Sequence, residues 1–196
     1  MRKEIRDKID KVYEDFKTIN LEEVTVGDKY IDVKTFKVTT KDGKEFYRDK
    51  IIKNNDCGSS VSVLPVLENG NVLLLIEPRV FTKRTVEINV PGGYINKGES
   101  TLEAAKRELE EETALKSDNI IKVVDYYTDL GNSDYISSTY IALDAKRTGE
   151  THFDSDEFVE EIEVTIDELN ELIESGEIMD TPLIVAFVKL KEMLKK

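Results

Sequence analysis

The sequence is poor in the residues that most other chemistries need. It has one cysteine, one histidine and no tryptophan in 196 residues. Cys57 has no second cysteine with which to form an internal disulfide, which agrees with a reducing compartment. His152 cannot build a zinc site by itself, and a single imidazole supports no Ser-His-Asp or Cys-His set. It sits in a polar stretch and is assigned no role. No apolar run approaches the roughly 20 residues of a membrane span. The first residues, MRKEIRDKIDKVYEDF, alternate charge with apolar side chains and lack the apolar core of a signal peptide. A cytoplasmic protein without a membrane partner is expected. Internal repeats and low-complexity tracts are also missing. Basic residues are outnumbered 28 to 41, for a net charge of −13. Such a field repels nucleic acid, which is excluded as a partner. A phosphate-bearing small molecule stays compatible with it where a divalent cation stands between carboxylates and phosphates.

What is present describes a soluble folded chain: 39% hydrophobic and 35% charged residues, long enough to bury a real core. Ile5, Ile9, Val12 and Phe16 fall at helical spacing and predict a short amphipathic helix over 4–16, packed on the body or on a partner subunit. Residues 20–52 read as extended segments, LEEVTV, KYIDVKTFKVTT and KEFYRDKII, with Asp42-Gly43 as a hairpin signal between the last two. Two or three strands need a surface to cover them. A second hairpin, SSVSVLPVL and NVLLLIEPRV, turns at Asn69-Gly70, also read as a primed-turn dipeptide. VEINV (86–90) predicts a strand. Further on come a helix at 101–113, strands near 120–128, 135–144 and 159–164, a helix at 166–174 ending at Ser175-Gly176, and a last helix over 181–195. The order suggests a mixed α/β sandwich with a β-rich N-terminal extension. Its units are a helix at 1–19, a β-rich extension at 20–56 and a main domain at 57–196.

The informative stretch is PGGYINKGESTLEAAKRELEEETAL, from Pro91 to Leu115. Ser100 followed by Glu103 is a capping box and starts a helix at about Thr101. Leu102, Ala105, Leu109 and Thr113 form one stripe, expected to face the core. Lys106, Glu110 and Glu103 lie on one flank, where pairing and water explain them. Glu108, Glu111 and Glu112 lie on the other, within an arc of about 100°. Like charges so placed destabilise a helix by a few tenths of a kcal/mol per pair, roughly. A Glu-rich solvent face is the plain explanation. A hard cation is the functional one, because magnesium takes carboxylate oxygens and keeps positions open for substrate phosphates. Gly92 and Gly93 let the backbone approach closely, so that a carbonyl there can add a ligand.

The whole pattern resembles the Nudix box: Gly93, five residues, Glu99, seven residues, Arg107-Glu108-Leu109, one residue, Glu111-Glu112, one residue, Ala114-Leu115. Only Ala114 departs, standing where the pattern has glycine and removing the easy left-handed turn. The resemblance implies a Nudix α/β/α sandwich with a mixed sheet. It implies that Glu108, Glu111 and Glu112 ligate or sit beside Mg2+ (Mn2+ being an alternative), with a Gly92 carbonyl. Glu99 would support the loop or the metal through water, and Arg107 would orient the carboxylates by ion pairing. Two or more cations would neutralise developing charge and activate a water, whose proton a carboxylate must accept. The second acidic cluster, Asp154 to Glu161, supplies Glu157 as the base and Glu160 as an added ligand.

Residues outside the box are similar to the ADP-ribose pyrophosphatase branch: the β-rich N-terminal segment, Glu77-Pro78-Arg79, Asp156-Glu157-Phe158, and Glu174 to Asp180 before the last helix. That likeness implies a homodimer with packed or exchanged N-terminal strands. It also implies substrate contacts from Arg79, to phosphate, and Arg48, near the nucleotide. The branch's Ser-Pro-Gly is Asp129-Leu130-Gly131 here, and its proline-containing segment before the first core strand is Asn54-Asn55-Asp56-Cys57-Gly58. The supported substrate is therefore a nucleoside diphosphate linked to a sugar or similar group, ADP-ribose being one. Tyr126, Tyr127 and Tyr135 either stack a base or pack the strands. Two alternatives stay open. One is the same scaffold acting on nucleoside triphosphates, dinucleoside polyphosphates or prenyl diphosphates. The other is a non-catalytic nucleotide-sugar-binding module.

Overall fold

The computed structural model describes residues 1–24, 31–53, 59–149 and 158–195. In chain order the elements are α1 (Lys3–Phe16), β1 (Ile31–Thr39), β2 (Glu45–Lys53), β3 (Ser59–Leu67), β4 (Val72–Pro78), β5 (Val86–Asn89) and β6 (Gly92–Tyr94). Then follow α2 (Thr101–Thr113), β7 (Leu115–Lys116), β8 (Asn119–Tyr127), β9 (Ile136–Arg147), β10 (Glu160–Val164), α3 (Ile166–Glu174) and α4 (Thr181–Met193). The segment LEEVTV, expected to be extended, shows no strand over 21–24, and its remainder lies outside the described residues.

Strand β3 organises the large sheet. It pairs parallel with β9 and antiparallel with β4 and β6, while β4 also pairs with β5 and β10, and β9 with β7 and β8. One parallel pair among antiparallel ones makes the sheet mixed. The apolar runs SVLPVL and VLLLI are the strands buried on both faces, as their near-continuous hydrophobicity requires. On one face Leu64, Leu74, Ile76, Ile88, Ile141 and Ile162 pack with α1, α3 and α4. On the other, Val61, Val63, Leu73 and Tyr140 pack against Ala104, Ala105 and Leu109 of α2. The result is the expected α/β/α sandwich. The N-terminal helix belongs to its core: Ile9 is fully buried, and Arg2 holds Glu168 of α3 through its Nε and Nη2.

Both hairpins form, but neither turn is primed. At each site the glycine N–H returns to the carbonyl three residues back, Gly43 to Thr40 and Gly70 to Leu67. Gly43 and Gly70 have φ of 80° and 82°, whereas Asp42 and Asn69 are not in the left-handed region. A three-residue loop ending in a left-handed glycine also follows the strand twist, so one such residue suffices. The β1–β2 pair is a sheet of its own. It is tied to the body through β2: Ile51 N–H donates to Asn132 O at 2.7 Å, and Lys50 pairs with Asp134 at 2.6 Å.

Helix α2 starts as expected, with both hydrogen bonds of the Ser100–Glu103 capping box. The expected apolar stripe is displaced: Leu102 is 40% exposed, and Ala104 is buried in its stead. The first turn meets the sheet through Thr101, whose hydroxyl bonds to the Tyr140 hydroxyl of β9, rather than through Leu102. At the other end Ala114 adopts φ 52°, ψ 22°, the left-handed turn made without glycine. Tertiary bonds hold it there, since Thr148 N–H donates to Ala114 O at 2.9 Å. That conformation costs alanine roughly 1 kcal/mol. Ala114→Gly should therefore raise stability by about 1 kcal/mol, or roughly 2–4 °C in Tm for a chain of this size, read by thermal unfolding. An unchanged or lower Tm would show that the surroundings have absorbed the strain.

Candidate active site

The register of β6 against β3 brings the glycine pair to the start of α2. Gly92 lies opposite Ser62 and Gly93 opposite Val61. There is no room for side chains at either position, for different reasons. A Cβ on Gly92 would stand 2.4 Å from the Val61 carbonyl oxygen, and one on Gly93 would stand 2.4 Å from Glu108 Oε1. The first glycine permits strand pairing. The second permits a carboxylate to lie against the loop.

Arg107 gathers the acidic side chains. Its Nε and Nη2 donate to the two oxygens of Glu99 at 2.9 and 3.0 Å. Its Nη1 donates to Glu108 Oε1 at 2.6 Å and to Glu111 Oε2 at 3.0 Å, and Nη2 also reaches the Tyr94 carbonyl at 2.9 Å. A planar guanidinium with five donors can span three carboxylates in this way, which an ammonium cannot. The hydrogen bonds from Arg107 hold Glu99 below the usual carboxylate range. Glu108 goes the other way: burial pushes its pKa up, and the same guanidinium only partly offsets this. Where two effects oppose each other on one residue, desolvation wins for Glu108 inside the site and pairing wins for Glu99 in the loop, which takes two of the Arg107 donors.

Glu112 accepts a hydrogen bond from Gly92 N–H at 3.2 Å. The three helix carboxylates thus end around the glycine pair and the Arg107 fork. Among the described residues, no three carboxylates stand at the spacing of a shared ion. The donor set nevertheless fits a hard divalent cation: all oxygen, one member buried, and held together by a positive group in a chain of strong negative charge.

Other sequence candidates lie elsewhere. Arg79 forms an ion pair with Glu77 and lines a cavity beside β5. Arg48 is on the β1–β2 hairpin, its Nη1 donating to Tyr47 O and its guanidinium 4.5 Å from the Phe46 ring centroid. Glu160 pairs with Lys8 of α1 at 2.5 Å and is not among the carboxylates Arg107 gathers. Glu157 lies outside the described residues, as do His152 and Cys57. Tyr135 is buried edge-on against Tyr94, with ring centroids 5.9 Å apart, whereas Tyr126 and Tyr127 line the cavity.

Sequence reasoning passed over a polar group in that cavity. Glu87 and Asn89 of β5 are 8% and 7% exposed, and Asp180 caps α4 by accepting from Leu183 N–H at 2.9 Å. Burial lifts Asp180 to about 6. The signal was present in the alternation of VEINV, where two polar residues interrupt a strand whose other positions are apolar.

The glycine geometry separates stability from activity. Gly92→Ala should lower Tm clearly, by the equivalent of roughly 1–3 kcal/mol, because its Cβ meets fixed backbone. Gly93→Ala displaces a side-chain terminus instead. It should keep a Tm near wild type yet lose turnover by an order of magnitude or more. Thermal unfolding and steady-state kinetics on both variants check this, and equal losses of stability would contradict it.

Comparison with known proteins agrees with this architecture. A NUDIX domain model matches residues 58–183. ADP-ribose pyrophosphatase of Bacillus subtilis (strain 168) is 34% identical over 186 residues, covering 91% of this chain and 95% of that protein. Methanol dehydrogenase activator of Bacillus methanolicus is 28% identical over 188 residues, covering 94% and 98%. A solved ADP compounds hydrolase superposes with a TM-score of 0.74 at 19% identity, over 88% of this chain and 91% of that one, a likeness of fold. With the domain model spanning well over half its length and the Bacillus subtilis protein matching nearly end to end, the chain belongs to the NUDIX family.

Proposed function

We propose that this protein hydrolyses the diphosphate linkage of a nucleoside diphosphate derivative, ADP-ribose or another nucleoside diphosphate sugar, with Mg2+ as cofactor and Mn2+ as a substitute. The observation that carries this reading is the single guanidinium of Arg107 holding Glu99, Glu108 and Glu111 beside the Gly92-Gly93 pair. The family resemblance supports it, and so does a relative named for ADP-ribose pyrophosphatase activity.

In this reading Glu108, Glu111, Glu112 and the Gly92 carbonyl hold the cations, and Glu99 keeps the loop and Arg107 in place. When bound there, the cations would supply charge neutralisation at the phosphate oxygens and a lowered pKa for the attacking water. Water oxygen forms a bond to one phosphorus, the bridging P–O bond breaks, and the products are a nucleoside monophosphate and a sugar phosphate. The water's proton passes to a carboxylate. Glu111 suits that task, because it is the more exposed of the two glutamates sharing Arg107 Nη1. Glu157 is the second candidate base. Glu160 would serve as an added ligand only after leaving Lys8.

Arg79 would contact substrate phosphate after exchanging Glu77 for it, a trade of one anion for another. Arg48 would reach the nucleotide across a homodimer. The dimer is proposed because the β1–β2 hairpin leaves Ile31, Val33, Phe36 and Tyr47 exposed, and a two-stranded sheet alone is marginal.

The test is a panel of nucleoside diphosphate derivatives with Mg2+, with products identified by mass. Glu111→Gln and Glu112→Gln should each lose at least about a hundredfold in kcat while keeping their Tm. Tight nucleotide-sugar binding by wild type without cleavage would support a binding module instead. Light scattering at micromolar concentration should give twice the 22.4 kDa chain mass, and a monomer there would defeat the dimer.

A further inference from the structure

The loop between β4 and β5, residues 79–85, carries Arg79 and closes on a strained residue. Thr85 adopts φ 61°, in the left-handed region, where a β-branched side chain crowds the backbone. Pro78 and Val86 are ladder partners, so Arg79 and Thr85 form the next pair, and Arg79 N–H donates to Thr85 O at 2.8 Å. A regular antiparallel pair would return Thr85 N–H to the Arg79 carbonyl. It turns instead to Thr82 O at 3.2 Å, and the Arg79 carbonyl accepts from Thr82 N–H at 2.8 Å. Phe81 at the tip is 92% exposed, so the loop is held at its base and not by packing of its tip. Two anchors secure that base. The Thr85 hydroxyl faces the carbonyl of Phe16, the last residue of α1, at 2.9 Å, and that of Arg84 at 2.5 Å. The final carbonyls of a helix have no partner within it, so the Phe16 oxygen is open to a donor from elsewhere. Arg84 donates from Nη1 to Glu177 O at 2.9 Å and from Nη2 to Gly176 O at 3.0 Å, in the turn after α3. Helix α1 is itself fixed, since Ile5, Ile9 and Val12 are buried in the larger core.

We propose that Thr85 is a positioning residue: its hydroxyl, seated on the last carbonyl of α1, sets the backbone from which Arg79 reaches substrate phosphate. This rests on the hydrolase reading and on the place of Arg79 in it, and adds a residue that itself touches no substrate. Arg79 lines the cavity with its guanidinium on Glu77, the anion that a substrate phosphate would replace. Exchanging one anion for another gains little, so any freedom of the loop weighs directly on affinity. A loop that samples several conformations binds more weakly in proportion to the share in which Arg79 faces the cavity. Fixing the loop beforehand removes that loss. The choice of residue agrees with this role. Glycine would make the same turn without strain but has no group to offer α1, whereas threonine accepts the strain and gains the tether. The N-terminal helix, on the sheet face opposite α2, thereby acts on a substrate contact 69 positions further along the chain.

Three variants of Thr85 separate the tether from the strain. Thr85→Val keeps the branched shape without the hydroxyl, Thr85→Gly removes hydroxyl and strain together, and Thr85→Ser keeps the hydroxyl. With ADP-ribose and Mg2+, KM should rise about tenfold in Thr85→Val and in Thr85→Gly, with kcat within roughly twofold of wild type, and Thr85→Ser should restore the wild-type KM. Should Thr85→Val fold poorly, Thr85→Gly carries the same comparison. On an Arg79→Ala background the loss of the hydroxyl should raise KM no further, a coupling that a general loss of stability would not produce. Hydrogen exchange of the Arg79 and Thr82 amides reads the loop without substrate, and should quicken roughly tenfold in Thr85→Val and Thr85→Gly but not in Thr85→Ser. Cleavage of ADP-ribose with a wild-type KM in Thr85→Val and Thr85→Gly, an equal rise in KM with and without Arg79, no change in KM for Arg79→Ala, or unchanged amide exchange would each overturn the positioning role and leave the hydrolase standing. A wild type that cleaves nothing would overturn the hydrolase, and calorimetric titration with ADP-ribose would then judge the positioning role. Binding weakened in Thr85→Val and restored in Thr85→Ser sustains it, and equal binding, or none by wild type, removes it.

Discussion

Arg107 is the element on which the site depends. Glutamates at positions 108, 111 and 112 of one helix repel each other, and Glu99 adds a fourth negative charge from the loop. A single guanidinium placed among them converts that repulsion into a network of short, charge-assisted hydrogen bonds. The network also fixes the backbone, since Nη2 reaches the Tyr94 carbonyl and Glu99 accepts from Asn96 N–H. The loop between β6 and α2 is therefore held by the residue that holds the carboxylates.

Backbone packing supplies the second constraint. β6 is three residues long and could not hold its place by its own hydrogen bonds. It stays because Gly92 meets β3 at a distance that admits no side chain, while α2 seals the other side through Leu109 and its two buried alanines. The loop from Gly92 to Ser100 is pinned between a central strand and a helix that both belong to the core. Ala114 shows how strongly this packing dominates local preference: the chain turns left-handed without glycine because strand β7 and Thr148 require it.

Strand β5 links this site to the cavity beyond it. Its apolar residues anchor it in the larger core, and its alternate residues bring two unpartnered acceptors to within a few residues of the glycine pair.

Local features were legible in the residues. The capping box marked the start of α2, the 3.6-residue period put Glu108, Glu111 and Glu112 on one flank, and the spacing from Gly93 to Leu115 carried the family resemblance. The helices at 166–174 and near the C-terminus were likewise written in caps and apolar periodicity. These depend on neighbours within a few residues, so composition and order suffice to specify them. The outcomes that needed tertiary structure all depend on which distant segments meet. Leu102 is solvent-exposed because the first turn of α2 meets the sheet through Thr101 and Tyr140. The turns at Asp42-Gly43 and Asn69-Gly70 take the three-residue form that their strand registers allow. Glu160 is engaged by Lys8, more than 150 positions away in the chain. The acceptors of the β5 cavity read only as a strand until β3, α4 and the loop after β4 closed around them, because a side chain's partners and its burial are decided by packing across the chain.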